Sequence, residues 1–175
     1  MSETGSERWA YPWVVRDGLP TGEGALALAF SGLVELRARR GARRARGIAV
    51  ARPAVVARLL APFIDGALEE RFLALGLDGR HRALAAWLVS QGTATGSLVH
   101  PRECFRTAIA LGCIAVVLAH NHPSGDAEPS GEDREVTERM AKAGELVGIR
   151  VVDHVILTDG GAFCSLRERG IGGLV

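Results

Sequence analysis

Seven consecutive residues, Cys113 to Ala119, are apolar and include Ile114 and two valines. So short a run, rich in β-branched side chains, predicts a strand buried on both faces. Val136, Met140, Ala143 and Leu146 then recur at helical spacing and predict a helix over residues 132–147. Residues 149–157 read as another strand, interrupted by Asp153 and His154, and residues 163–166 as a short final one. Upstream, Val55, Val56, Leu59 and Leu60 share one face of a helix that Pro53 opens and Pro62 ends or kinks. Residues 72–77 and 84–90 predict a strand pair with Asp78-Gly79 as its hairpin turn. His100-Pro101-Arg102-Glu103 predicts a helix start, with Glu103 placed to reach back to it, running to about residue 111. Helices and strands alternate, so the fold expected from about residue 50 is α/β, a mixed β-sheet flanked by helices.

The first 50 residues carry a different pattern. Residues 1–24 are polar and rich in Gly, Pro and Trp, and residues 25–36 suit a short helix. Arg37, Arg39, Arg40, Arg43, Arg44 and Arg46 follow. Such a run is either a phosphate-binding patch or a solvated helix face, and without interleaved aromatics the second reading is preferred. The expected division is an N-terminal extension over 1–50 and one domain over 51–175.

Composition narrows the function classes. Lys+Arg 21 against Asp+Glu 20 leaves a net charge of +1, so bulk electrostatics make no case for nucleic-acid binding. Lys142 is the only lysine, which reads as a coding bias toward arginine. Cys104, Cys113 and Cys164 form neither a metal-ligand spacing nor a disulfide framework, which fits a reducing cytoplasm. No signal peptide is legible, and the apolar runs fall short of the ~20 residues of a membrane span. A soluble cytoplasmic protein without membrane association is expected.

The chemistry gathers after the apolar strand, in HNHPSGDAEPSGED. On a strand, His120 and His122 project to one face and Asn121 to the other. Two imidazoles at a strand end suit a divalent ion such as zinc. Ser130 and Asp133 have the spacing of a helix capping box. The short loop before them also lets Asp133 return to the histidines as a third ligand, leaving a fourth tetrahedral position for water. Such a site needs a carboxylate base. Glu69 and Glu70, beside the strand RFLALGLD, both qualify, whereas Glu103 already has a structural reason in its helical turn.

HNHPSGDAEPSGED fits the JAMM (MPN+) metalloprotease motif H-x-H-P-x6-S-x2-D without a gap. More narrowly, GSLVHPRECFRTAIALGCIAVVLAHNHPSGDAEPSGEDREVT and GIRVVDHVIL resemble the RadC family, once labelled a DNA-repair family. The resemblance covers roughly residues 50–170 and implies a JAB/MPN, cytidine-deaminase-like architecture. It implies His120, His122 and Asp133 as Zn2+ ligands and Ser130 as support for an oxyanion. The family's E-x-F pattern falls on Glu70-Arg71-Phe72 and selects Glu70 as catalytic base. Asp153-His154 matches a DH pair near the site, either orienting a ligand or forming a polar pair at a strand bend. The family's helix-hairpin-helix region has no convincing equivalent in residues 1–50, which weakens an inherited role in DNA contact.

The leading expectation is a zinc-dependent hydrolase that cleaves an amide or isopeptide bond in a peptide or protein. The alternatives are a DNA-associated accessory protein or nuclease, and a catalytically silent binding module. The spelling H-N-H is a coincidence, since HNH nucleases spread those residues over a hairpin and a helix. A deaminase would need a PCxxC that the chain lacks.

Overall fold

The computed structural model of the chain describes residues 47–64, 66–92 and 99–174. The helix expected at 25–36 and the arginine run lie outside the described residues. Within them, α1 (Pro53–Leu60) continues into a 3-10 turn, Ala61–Phe63, that contains Pro62. Then follow β1 (Glu70–Leu77), β2 (Ala83–Gly92), α2 (Pro101–Ala110), β3 (Ala115–Asn121), α3 (Gly131–Val147), β4 (Arg150–Leu157) and β5 (Phe163–Ser165).

These strands form one mixed sheet in the order β2-β1-β3-β4-β5. β1 is antiparallel to both β2 and β3, while β3 and β4 run parallel through the α3 crossover. Every residue of β3 is buried. Ala115, Val117 and Ala119 pack with Val56, Leu59 and Leu60 of α1 on one face. Val116 and Leu118 pack on the other with Phe105 and Ala108 of α2 and Met140 of α3. Three layers result, with α1 on one side of the sheet and α2 and α3 on the other.

Gly144 sets the approach of α3 to the sheet: a Cβ there would lie 2.5 Å from the Ile149 carbonyl oxygen and 3.1 Å from Phe105 Cζ. The buried stripe of α3 is Asp133, Thr137, Met140 and Gly144. Leu146, expected on the buried face, is 88% exposed. Asp133 and Thr137 take the first turns of that stripe, where it faces the histidines, and Gly144 takes its last.

Other expectations shift locally. β3 starts two residues later than its apolar run and continues through Asn121, because His120 and Asn121 still pair with β4 at Ile156 and Leu157. The Asp78-Gly79 turn is wider than a two-residue hairpin: Asp78 Oδ1 accepts from Arg80 N and Arg82 N, and the left-handed residue is His81. Glu103 does not reach back to its helix start but pairs with Arg102 and Arg106, each at 3.0 Å. His100 Nδ1 caps that helix instead, accepting from Arg102 N. β4 is not interrupted at Asp153-His154. Its pairing moves from Val116↔Val151 to Val117↔Asp153, so Val152 is a bulge residue. The bulge puts Val152 and Asp153 on the α1 side and turns His154 to the α3 side.

Candidate metal centre

β3 ends where its ladder meets the loop to α3, at the carboxyl end of a parallel strand pair. His120 and His122 lie on the face that carries Val116 and Leu118, and Ser130 starts α3 so that Asp133 comes down beside them. One ligand atom from each of His120, His122 and Asp133 falls within 4.8 Å of the others. His120 Nε2 is 2.9 Å from both His122 Nε2 and Asp133 Oδ1, and His122 Nε2 is 3.5 Å from Asp133 Oδ2. Two ligand atoms on a tetrahedral zinc stand ~3.3 Å apart, by simple geometry from ligand bonds near 2.0–2.1 Å. The observed spacings bracket that separation.

The hydrogen bonds decide which nitrogens are free. His122 Nδ1 lies 2.7 Å from the Asp126 carbonyl oxygen, which only accepts, so Nδ1 carries the proton and Nε2 of the neutral ring is bare. His120 Nδ1 faces His154 Nε2 at 2.8 Å, leaving its own Nε2 pointed at His122 and Asp133. Two imidazole nitrogens and a carboxylate oxygen converge on one point, a donor set that a divalent cation satisfies.

The electrostatics respond to that convergence. Burial pushes the Asp133 carboxyl up, but the His120 and His122 rings in close contact with it and the Ser130 hydroxyl outweigh it and hold it well below the usual carboxylate range. His122 is raised first by its bond to Asp133, against burial, with help from the Asp126 carbonyl and the charges of Asp133 and Glu70. Burial holds His154 well below the ordinary histidine value.

Glu70 opens β1 two residues before Phe72, which pairs with His120. Parity therefore puts Glu70 on the histidine face, across from His122. Glu69 has the opposite parity, and its Oε2 accepts from Gln91 Nε2 at 3.0 Å. Glu103 sits in a surface ion-pair group on α2. Asn121 points away from the histidines yet serves their surroundings: its carboxamide bonds the peptide groups on both sides of Glu70, at Glu69 O and Arg71 N.

Ser130 is the α3 cap in a complete capping box. Its Oγ accepts from Asp133 N at 3.1 Å, and both its N–H and its Oγ–H lie 2.7 Å from Asp133 Oδ2. Cap and cluster thus share one carboxylate. Asp153 and His154, adjacent in sequence, part company. Asp153 accepts from Ser165 Oγ, Arg167 N and His154 N beside a cavity of about 230 Å³ under α1. His154 joins the histidine cluster. Thr137, which touches His154, carries no sequence signal beyond standing one helical turn after Asp133.

The model of the RadC-like JAB domain matches residues 50–171. A UPF0758 protein of Symbiobacterium thermophilum is 46% identical over 126 residues, 72% of this chain and 53% of that protein. A UPF0758 protein of Rubrobacter xylanophilus is 47% identical over 122 residues, 70% of this chain and 53% of that one. Another from Geobacter sulfurreducens is 50% identical over 103 residues, 59% of this chain and 44% of that one. The chain spans about half the length of these curated relatives.

Proposed function

The chain belongs to the RadC-like JAB-domain family, and on that premise we propose that it is a zinc-dependent hydrolase cleaving an amide or isopeptide bond in a peptide or protein. One observation carries the proposal. Two imidazole nitrogens and Asp133 converge at the end of β3, with Glu70 on the same face and bonded backbone on either side of it.

His120, His122 and Asp133 would hold the ion. Zinc supplies Lewis acidity there, lowering the pKa of water to ~7 and polarising a carbonyl. Glu70 takes the proton of the attacking water and returns it to the leaving amine. Ser130 supports the oxyanion by turning its hydroxyl proton from Asp133 Oδ2 toward the substrate. Its backbone N–H, 2.7 Å from the same oxygen, keeps the carboxylate in place meanwhile.

A cytoplasmic location goes with this reading. Cys104, Cys113 and Cys164 are all free and buried, and burial pushes the Cys104 thiol up to about 12 and Cys113 up to about 11. No helix among the described residues is long and apolar enough to cross a membrane.

Peptide and isopeptide libraries test the proposal. The zinc-loaded protein cleaves a subset of them, and Glu70→Gln abolishes the cleavage. Cleavage that survives both Glu70→Gln and His122→Ala removes the mechanism.

A further inference from the structure

We propose that His154 and Thr137 fix the proton of His120 on Nδ1, so that its bare Nε2 faces the metal position and metal affinity depends on both residues. The inference rests on reading His120 as a metal ligand and adds two positioning residues to that ligand.

The direction of the hydrogen-bond chain follows from its far end. Thr137 Oγ1 bonds the backbone oxygen of Asp133, one turn earlier in α3. A carbonyl oxygen only accepts, so the single hydroxyl proton of Thr137 is spent there. Thr137 Oγ1 then meets His154 Nδ1, at 2.6 Å, as an acceptor, and His154 Nδ1 carries the proton. The His154 ring is fully buried and, among the described residues, no carboxylate hydrogen-bonds the ring, so it is uncharged and its Nε2 is bare. That nitrogen lies 2.8 Å from His120 Nδ1, which donates to it. His120 Nε2 is left without a proton, 2.9 Å from Asp133 Oδ1. The opposite direction would put a proton on His120 Nε2, which would donate to Asp133 Oδ1 and close that nitrogen to a cation.

The circuit starts at the Asp133 carbonyl and closes on the Asp133 carboxylate, tying one face of α3 to β3 and β4. Three features hold it. The Val152 bulge turns His154 to this face. The Phe72 ring stacks on His120 at 5.8 Å and tilts against His154 at 5.2 Å. Gly172 packs on the Thr137 side chain, where a Cβ would collide with Thr137 Cγ2.

Long-range proton–nitrogen correlation NMR of the imidazoles in metal-free wild-type protein, above pH ~7.5 where histidines are mostly neutral, reads the tautomer without any substitution. The expected form of His120 is Nδ1–H. Zinc affinity by competition with a chromogenic chelator reads the consequence. Thr137→Val, which keeps shape and loses the hydroxyl, weakens zinc binding by roughly 10–100-fold, and Thr137→Ser stays within about threefold of wild type. Near-UV circular dichroism verifies that both variants fold. An Nε2–H tautomer in the wild type, or wild-type zinc affinity in Thr137→Val, overturns the proposal. A wild-type chain that binds no zinc at all contradicts the metal reading instead, and the tautomer alone then decides the hydrogen-bond chain.

Discussion

The Asn121 carboxamide grips the backbone on both sides of Glu70: Oδ1 accepts from Arg71 N at 2.7 Å and Nδ2 donates to Glu69 O at 3.1 Å. The strand end that carries the two histidines therefore also fixes the entrance of β1. Asn121→Ala removes two largely buried hydrogen bonds and is expected to cost about 1–3 kcal/mol in urea denaturation. Zinc affinity should stay near wild type, because no nitrogen of the cluster is touched, while turnover falls. A loss of zinc as large as that in His122→Ala would contradict this division of roles.

Ser130 serves the helix and the cluster through one carboxylate. Ser130→Ala should lower stability by about 1 kcal/mol, the usual worth of a helix cap. It should also weaken zinc binding, because Asp133 Oδ2 loses one of its two Ser130 donors. Calorimetry and chelator competition on the same samples read the two effects. A stability loss with unchanged zinc affinity would mean that the Ser130 hydroxyl does not hold Asp133 for the ion.

The His122–Asp133 pair gives metal-free protein a pH signature. His122 is raised in the fold, mainly by its bond to Asp133. Its contribution is therefore complete below the unfolded value near 6.5 and is lost as pH rises through the folded value. Asp133 is depressed, so its contribution is present above its unfolded value and is lost as pH falls through the folded one. With chelator present, the stability gap between wild type and His122→Gln should shrink as pH rises above the unfolded value near 6.5 and through the raised folded one. Zinc affinity should rise over the same interval, because the proton on His122 must leave first. Urea melts and zinc titrations check the opposing slopes. Parallel slopes would mean that His122 does not exchange a proton for the metal.

Close packing at Gly144 gives a stability test away from the chemistry. Gly144→Ala puts a methyl 2.5 Å from the Ile149 carbonyl oxygen. The forced separation of α3 from the loop into β4 should cost about 1–3 kcal/mol, despite the ~1 kcal/mol by which alanine favours a helix. Leu146→Ala on the exposed face should stay within about 0.5 kcal/mol. A stabilised Gly144→Ala would show that the contact relaxes freely.

Periodicity made most of the fold legible. The apolar run of β3, the spacing in α1 and the switch from helix to strand around Gly148 all follow from side-chain burial. What escaped was set by tertiary contacts. Val136, Met140, Ala143 and Leu146 look like the buried stripe of α3, but Asp133 and Thr137 take its first turns because the opposing surface is the histidine cluster. The residue parity of β4 breaks at the Val152 bulge, which nothing local announces, so the separate destinations of Asp153 and His154 were not readable. The cluster itself was better marked. His120 and His122 share a strand face by parity, and Ser130 and Asp133 by capping geometry. Choosing Glu70 over Glu69 drew on the resemblance, and register with β3 gives the physical reason for their opposite faces.

Zinc stoichiometry of gently purified protein bears on the proposed metal centre without any knowledge of the substrate. Wild type should hold about one zinc per chain, the load of a single three-ligand site with an open position. His120→Ala should hold essentially none while remaining folded by circular dichroism. A wild type that neither retains zinc nor takes it up on titration, or a His120→Ala variant that keeps a full equivalent, would contradict the assignment of His120, His122 and Asp133.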